Sequence, residues 1–132
     1  MDSIRILVVD DHPLFREGLK TLFAADPGLT VIGHASTRRD ALAKAALRPD
    51  IILLDIEMPE MDGLETIRAI RARERTGGPR LPVVALTAHA LPSDRESCRA
   101  AGMDGYIVKP IQVDRLWAAI DEAYTPKSRL EN

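Results

Sequence analysis

Asp10 with Asp11, Asp55, Thr87 and Lys109 each stand directly after a short apolar run, the runs covering residues 4–9, 51–54, 83–86 and 106–108. One carboxylate in such a place is an ordinary loop residue. Three carboxylates, a hydroxyl and an ammonium at four such places are the ingredients of a single site. Neighbouring carboxylates repel unless a cation joins them, and one or two carboxylates with water and phosphate oxygens form the usual shell of Mg²⁺. An ion bridging a carboxylate and an incoming phosphoryl group neutralises the charge that builds up in transfer, leaving the protein mainly to position the reactants. A carboxylate is also a competent nucleophile for that chemistry, giving an aspartyl phosphate. Thr87 and Lys109 are of the types that hold phosphoryl oxygens.

These groups meet only if the runs are neighbouring parallel strands. The four runs, with a fifth at 31–32, are apolar except for Arg5, as expected of strands buried on both faces. Between them apolar residues fall at helical spacing: Leu14, Phe15, Leu19, Leu22 and Phe23; Ala41, Leu42, Ala45 and Ala46; Leu64, Ile67 and Ile70; Val113, Leu116, Trp117 and Ile120. The segment 92–101, PSDRESCRAA, carries helix formers and Ser93 as a cap but few large apolar anchors, so it should be the least firmly packed helix. Five strands alternating with five helices predict an α/β fold, a doubly wound five-stranded parallel sheet covered on both sides. In such sheets ligands bind beyond the carboxyl ends of the strands, where strand order reverses. Gly33, the TGGPR loop at 76–80 and Gly102 punctuate this scheme. The packed domain is expected over residues 1–124, with 125–132 as a flexible tail.

At 132 residues the chain fits one domain. Its net charge of -2 gives no electrostatic reason to expect nucleic acid as a direct partner. No apolar stretch approaches the roughly 20 residues needed to cross a bilayer, so no membrane partner is expected either. The lone Cys98 excludes an internal disulfide, and the N-terminus lacks the cationic and long apolar regions of a secretion signal. A reducing, cytoplasmic location is the resulting expectation.

The stretches ILVVDDHPLFREGL, PDIILLDIEMPEMDGLETIR, PVVALTAHA and AAGMDGYIVKPI together resemble the receiver domain of two-component response regulators, over the whole chain apart from its short tail. The resemblance implies a flavodoxin-like fold with strand order 2-1-3-4-5. It implies Asp55 as phosphoacceptor from a sensor histidine kinase or phosphotransfer protein, in a signalling protein that assists its own phosphorylation and slow dephosphorylation and is not a turnover enzyme. Mg²⁺, with Mn²⁺ as substitute, would be held by Asp11, Asp55 and the backbone carbonyl of Glu57, with Asp10 reaching the ion through water. Lys109 would contact the phosphoryl group, and Thr87 with Tyr106 would form the conformational switch. The Lys109-Pro110 bond would be cis, which only a bond to proline adopts readily. The surface shared by the fourth helix, fifth strand and fifth helix would change on phosphorylation and could support a homodimer.

Two flavours are mixed. DDHPLFREGLKTLF is similar to receivers that precede a helix-turn-helix domain, whereas ALTAHALPSDRESCRAAGMDGYIVKPI is closer to receivers of hybrid histidine kinases. The output stays open, and an excised module of either kind is the alternative to a stand-alone protein. Two rivals are less well supported. A Mg²⁺-dependent aspartyl phosphatase of the haloacid dehalogenase type wants Asp-x-Asp after the first strand, where position 12 is His. A flavodoxin-like binding module would not put two aspartates where an anion should sit.

Other polar residues have simpler readings. Alone, Asp10 and Asp11 before Pro13 would cap a helix. His12 and His89 are rim residues, since imidazole favours softer metals than Mg²⁺ and neither has a partner at ligand spacing. Glu57 and His89, two residues past Asp55 and Thr87, are placed to influence how fast water reaches a phosphoryl group. His34 is structural, Cys98 is a small packing residue, and Met58, Met61 and Met103 are loop or packing residues. Arg71, Arg73 and Arg75 form a solvated helix end, and Trp117 packs the last helix onto the sheet.

Overall fold

In the computed structural model the described residues are 3–58, 61–78, 80–88, 91–109 and 111–130; of residues 57, 58, 61, 62, 113 and 124–130 only the backbone is described. The elements run β1 (Ile4–Val9), α1 (Pro13–Ala24), β2 (Leu29–Ala35), α2 (Arg38–Ala45), β3 (Ile51–Asp55), α3 (Gly63–Arg75), β4 (Val83–Thr87), α4 (Pro92–Ala101), β5 (Gly105–Val108) and α5 (Val113–Leu130). The sheet is parallel throughout, in the order β2-β1-β3-β4-β5. This is the expected doubly wound, flavodoxin-like arrangement. Among the described residues, no helix is long and apolar enough to cross a membrane.

Strand residues alternate between two cores, because successive side chains point to opposite faces. Leu7, Val9, Ile52, Leu54 and Ala85 pack with Ala41, Ile67, Ile70 and Cys98 from α2, α3 and α4. Ile6, Val8, Ile51, Leu53 and Leu86 pack with Leu19, Phe23, Leu116 and Ile120 from α1 and α5. β1 and β3 are apolar on both sides because helices cover both sides. β2 is an edge strand with only β1 beside it and includes Thr30 and His34, so its polar positions hid most of its length from an apolar-run search. Its register slips between Ile6 and Leu7, leaving Ile32 without a directly opposed residue.

Four local features depart from expectation. Ser93 does not cap α4: the helix starts at Pro92, Leu91 takes the cap position, and no side-chain cap bond forms. Proline at the first helical position needs no donor there, which sets the start two residues earlier than a Ser93 cap would. The turn after β3 contains a small antiparallel hairpin, Glu57–Met58 against Met61–Asp62. α5 continues through Leu130, well past the apolar repeat of Val113, Leu116, Trp117 and Ile120 that marks it in the sequence; extending an anchored helix costs far less than nucleating one.

The fourth departure is Arg71, which is 7% exposed rather than solvated. It falls at i+4 from Ile67 and i+1 from Ile70, both core residues, and so turns inward. Its guanidinium donates to the carbonyls of Gly102 (2.9 and 3.1 Å) and Leu81 (2.8 Å) and pairs with Glu74 (2.8 Å) and Asp104 (2.7 Å). It thereby clasps α3, the approach to β4 and the C-terminal end of α4. Gly102, in the left-handed region at φ 112°, ends that helix and lies against the Arg71 side chain. Trp117 also does more than pack, its indole N–H donating to Asp26 Oδ2 at 2.8 Å.

Candidate functional site

The parallel register decides which strand ends meet. Val9 is level with Leu54, Asp55 with Leu86, and Thr87 with Val108. One residue past Val9 and Leu54 are Asp10 and Asp55; one past Leu86 and Val108 are Thr87 and Lys109. β1 and β3 are adjacent although β2 intervenes in the chain, so the reversal of strand order falls between Asp10 and Asp55.

Asp10 and Asp55 are both 0% exposed. Lys109 Nζ lies 2.9 Å from Asp55 Oδ2 and 3.5 Å from Asp10 Oδ2, and 4.2 Å from the centroid of the Phe15 ring. Two carboxylates and a ring face therefore fix the ammonium. Burial pushes the Asp10 carboxyl above its ordinary range; the His12 N–H and Lys109 pull it down, and Asp55 pushes it further up. Asp11 is partly exposed, but its Oδ1 is buried and makes no hydrogen bond.

His12 corrects the view of it as a partnerless rim residue. Its Nδ1 lies 3.3 Å from Asp10 Oδ1, 3.3 Å from Asp11 Oδ1 and 3.4 Å from Asp55 Oδ2. Pro13 begins α1, which leaves His12 in extended backbone at the cap position, and its N–H donates to Asp10 Oδ1 at 2.5 Å. That bond turns the imidazole back over the carboxylates. The signal in the sequence was the position of His12 between Asp11 and a helix-starting proline.

The ligand atoms of Asp10, Asp11, His12 and Asp55 lie within 4.8 Å of one another. The residues fit a divalent cation: two fully buried carboxylates converge with a third whose buried oxygen lacks a hydrogen bond. Glu57, expected to contribute a carbonyl, lies in the hairpin just after Asp55. Gly63, at the start of α3, closes on this turn; a Cβ there would lie 2.4 Å from Ile56 Cα.

Thr87, 1% exposed, shares a side-chain hydrogen bond with Tyr106. Burial raises the Tyr106 phenol, against the lowering effect of that bond. Arg95 of α4 stands 5.5 Å from the Tyr106 ring centroid, which puts Tyr106 between the end of β4 and α4. Cys98 is buried and its thiol is raised by burial, as suits a packing residue. His89 and Pro110, and with Pro110 the expected cis bond, lie outside the described residues.

Asp10, Asp11, Asp55 and Lys109 thus come together, with Thr87 and Tyr106 paired on the neighbouring strands. Phe15, anticipated only as a helix residue, also touches the site. Beside it opens a groove of about 460 Å³ lined by Leu14, Phe15, Gly18, Leu22 and Ile111, with Lys109 at its edge. Leu14 in that groove is 88% exposed.

Comparison with known proteins agrees with the geometry. A protein-glutamate methylesterase/protein-glutamine glutaminase from Nocardioides sp. is 40% identical over 126 residues, which is 92% of this chain and 33% of that protein. The nitrate/nitrite response regulator protein NarL of Escherichia coli K12 is 38% identical over 119 residues, 89% of this chain and 53% of that protein. The chain therefore spans about a third to a half of the length of these curated relatives. Among solved structures, the signal receiver domain of the putative response regulator NarL from Mycobacterium tuberculosis matches with a TM-score of 0.82 and 30% identity, over 95% of this chain and 98% of that one. The response regulator domain of Thermotoga maritima CheB matches with a TM-score of 0.76 and 29% identity, over 93% and 97%. The description "Response regulator receiver domain" fits residues 6–121, from β1 into α5. The chain belongs to the response regulator receiver domains, signalling modules of two-component systems.

Proposed function

We propose that Asp55 accepts a phosphoryl group from the phosphohistidine of a sensor kinase or phosphotransfer protein. An Asp55 carboxylate oxygen attacks phosphorus, the phosphorus–nitrogen bond of the donor breaks, and the departing imidazole takes a proton from solvent. The observation that carries this reading is the 2.9 Å approach of Lys109 Nζ to Asp55 Oδ2 at a fully buried strand end. It supplies a positive charge where phosphoryl oxygens would arrive.

Asp10, Asp11, Asp55 and the Glu57 carbonyl would hold Mg²⁺ or Mn²⁺, which when bound neutralises charge on the transferring group. Lys109 and the Thr87 hydroxyl hold the phosphoryl oxygens. The same residues assist the slow attack of water that resets the domain, so it acts as a phosphorylated signalling protein and not a turnover enzyme. Engaging Thr87 in this way breaks its bond to Tyr106. Tyr106 then turns, and α4 repacks with β5 and α5 into a readout face that can also join two copies. Support comes from α4 itself, which has no side-chain cap at its start and buries only Cys98 and Ala101. The exposed groove beside Lys109 supports a protein donor, and a kinase-linked donor goes with a cytoplasmic location. The relatives' greater length supports the reading as a module of a larger regulator or hybrid kinase.

The test is incubation with Mg²⁺ and a small phosphoramidate donor, followed by intact mass measurement. One added phosphoryl group in the wild type and none in a folded Asp55→Asn variant is expected. Equal labelling of both would overturn the assignment.

A further inference from the structure

The imidazole of His12 is not needed for an all-oxygen Mg²⁺ site, yet it stands over all three carboxylates. Its Nδ1 is 3.3, 3.3 and 3.4 Å from oxygens of Asp10, Asp11 and Asp55. Ligands about 2.0–2.1 Å from a tetrahedral Zn²⁺ are separated from one another by about 3.3–3.4 Å. Adjacent ligands at the same distance in an octahedron are closer, about 2.9 Å. His12 Nδ1 therefore stands at four-coordinate spacing from each of the three oxygens, the ligand atoms of the four residues lie within 4.8 Å of one another, and a donor set of one nitrogen and three carboxylate oxygens suits zinc better than magnesium. A second observation concerns Asp11: its Oδ1, one of these three oxygens, is buried without a hydrogen bond.

The helix start explains why His12 is available. Its side chain makes no capping bond, so it does not serve the helix. The ring is about half exposed, at 52%, which leaves it free of core packing. The two fully buried carboxylates cannot leave the pocket, so the exposed imidazole closes it like the last donor of a preformed set.

We propose that His12 Nδ1 is a metal ligand and that the Asp10, Asp11 and Asp55 pocket thereby takes Zn²⁺ in competition with Mg²⁺. Zinc held in this way occupies Asp55 Oδ2, the oxygen beside Lys109, and keeps Asp55 from accepting a phosphoryl group. Only this consequence rests on the proposed function; the binding itself does not.

Calorimetric titration of the full chain with ZnCl₂ and with MgCl₂, in wild type and His12→Ala, tests the proposal. The expected result is one zinc per chain, zinc affinity lowered at least roughly tenfold in the variant, the lower end of what even outer-shell partners cost, and magnesium affinity nearly unchanged. Unchanged zinc affinity would place zinc elsewhere and overturn the proposal. Tighter binding of both ions in the variant would overturn it too, showing His12 to be only a counter-cation for the carboxylates. Co²⁺ bound to the wild type gives an independent readout: an intense visible band marks the expected four-coordinate site, and the weak spectrum of a six-coordinate ion contradicts it. Zinc should also block labelling of Asp55 in the presence of Mg²⁺, in wild type but not in His12→Ala. Absence of labelling even without zinc would count against the phosphoacceptor reading and leave the binding result intact.

Discussion

Thr87 and Tyr106 are tied by a side-chain hydrogen bond across two adjacent parallel strands. Thr87 is level with Val108, two residues along from Tyr106, so both side chains lie on one face of the sheet. A phosphoryl group that claims the Thr87 hydroxyl competes directly with the phenol. Tyr106→Phe removes the bond and keeps the ring. It should change unfolding free energy by about 1 kcal/mol or less, leave Asp55 labelling intact, and abolish the phosphorylation-dependent amide shifts of α4. Wild-type shifts in the variant would exclude Tyr106 from the switch.

Leu14 is 88% exposed in the groove that borders Lys109. A large apolar side chain left in water beside the Lys109 end of the proposed phosphorylation site suits contact with a macromolecular donor. Leu14→Glu should slow transfer from a protein phosphohistidine by about tenfold or more. The rate with a small phosphoramidate should not change. An equal loss with both donors would mean that the substitution damages the site itself.

Arg71 is a buried charge whose guanidinium bonds to Gly102, Leu81, Glu74 and Asp104. Arg71→Met removes the guanidinium donors from the Gly102 and Leu81 carbonyls and the buried cation from Glu74 and Asp104, leaving Asp104 to Arg80 and the Val83 N–H and Glu74 to the Leu81 N–H. Loss of one partner from a buried pair typically costs about 3–5 kcal/mol. Urea denaturation should show a loss of that order, with little recovery in Arg71→Lys, because an ammonium cannot reproduce the fork. A loss below about 1 kcal/mol would show that water replaces the clasp.

His34 on β2 is held below its usual value of 6.5, first by burial and then by Lys20, Arg16 and Lys44; Glu17 opposes the shift. Its Nε2 is buried without a hydrogen-bond partner. As pH falls through 6.5, the unfolded chain takes up a proton that the folded one resists, so the His34 contribution favours unfolding progressively. Urea midpoints followed from neutral to mildly acidic pH should fall less steeply in His34→Gln than in the wild type. Parallel profiles would show that other groups set the acid sensitivity.

What could be read from the sequence depended on how each residue announces itself. The central strands were legible because burial on both faces leaves continuous apolar runs, and those runs carried Asp10, Asp55, Thr87 and Lys109 to one edge. β2 was legible only in part, since an edge strand mixes Thr30 and His34 among its apolar residues. Arg71 was missed because a charge within an arginine-rich stretch looks solvated until its partners, Asp104 and the Gly102 carbonyl, are brought near by the fold. Its place in the Ile67, Ile70, Arg71 stripe was the available clue. His12 was discounted because Asp10 and Asp11 merely adjoin it in the sequence, and Asp55, at the end of the third strand, comes beside it only through the parallel register.

Gly63 has its own bearing on how mutations in this domain would be interpreted. Any side chain at position 63 must push against Ile56, the residue directly after Asp55. A genetic screen for silent alleles would therefore recover Gly63 variants beside Asp55 variants, although one class fails through volume and the other through chemistry. Phenotype alone would merge them, and abundance of folded protein would separate them.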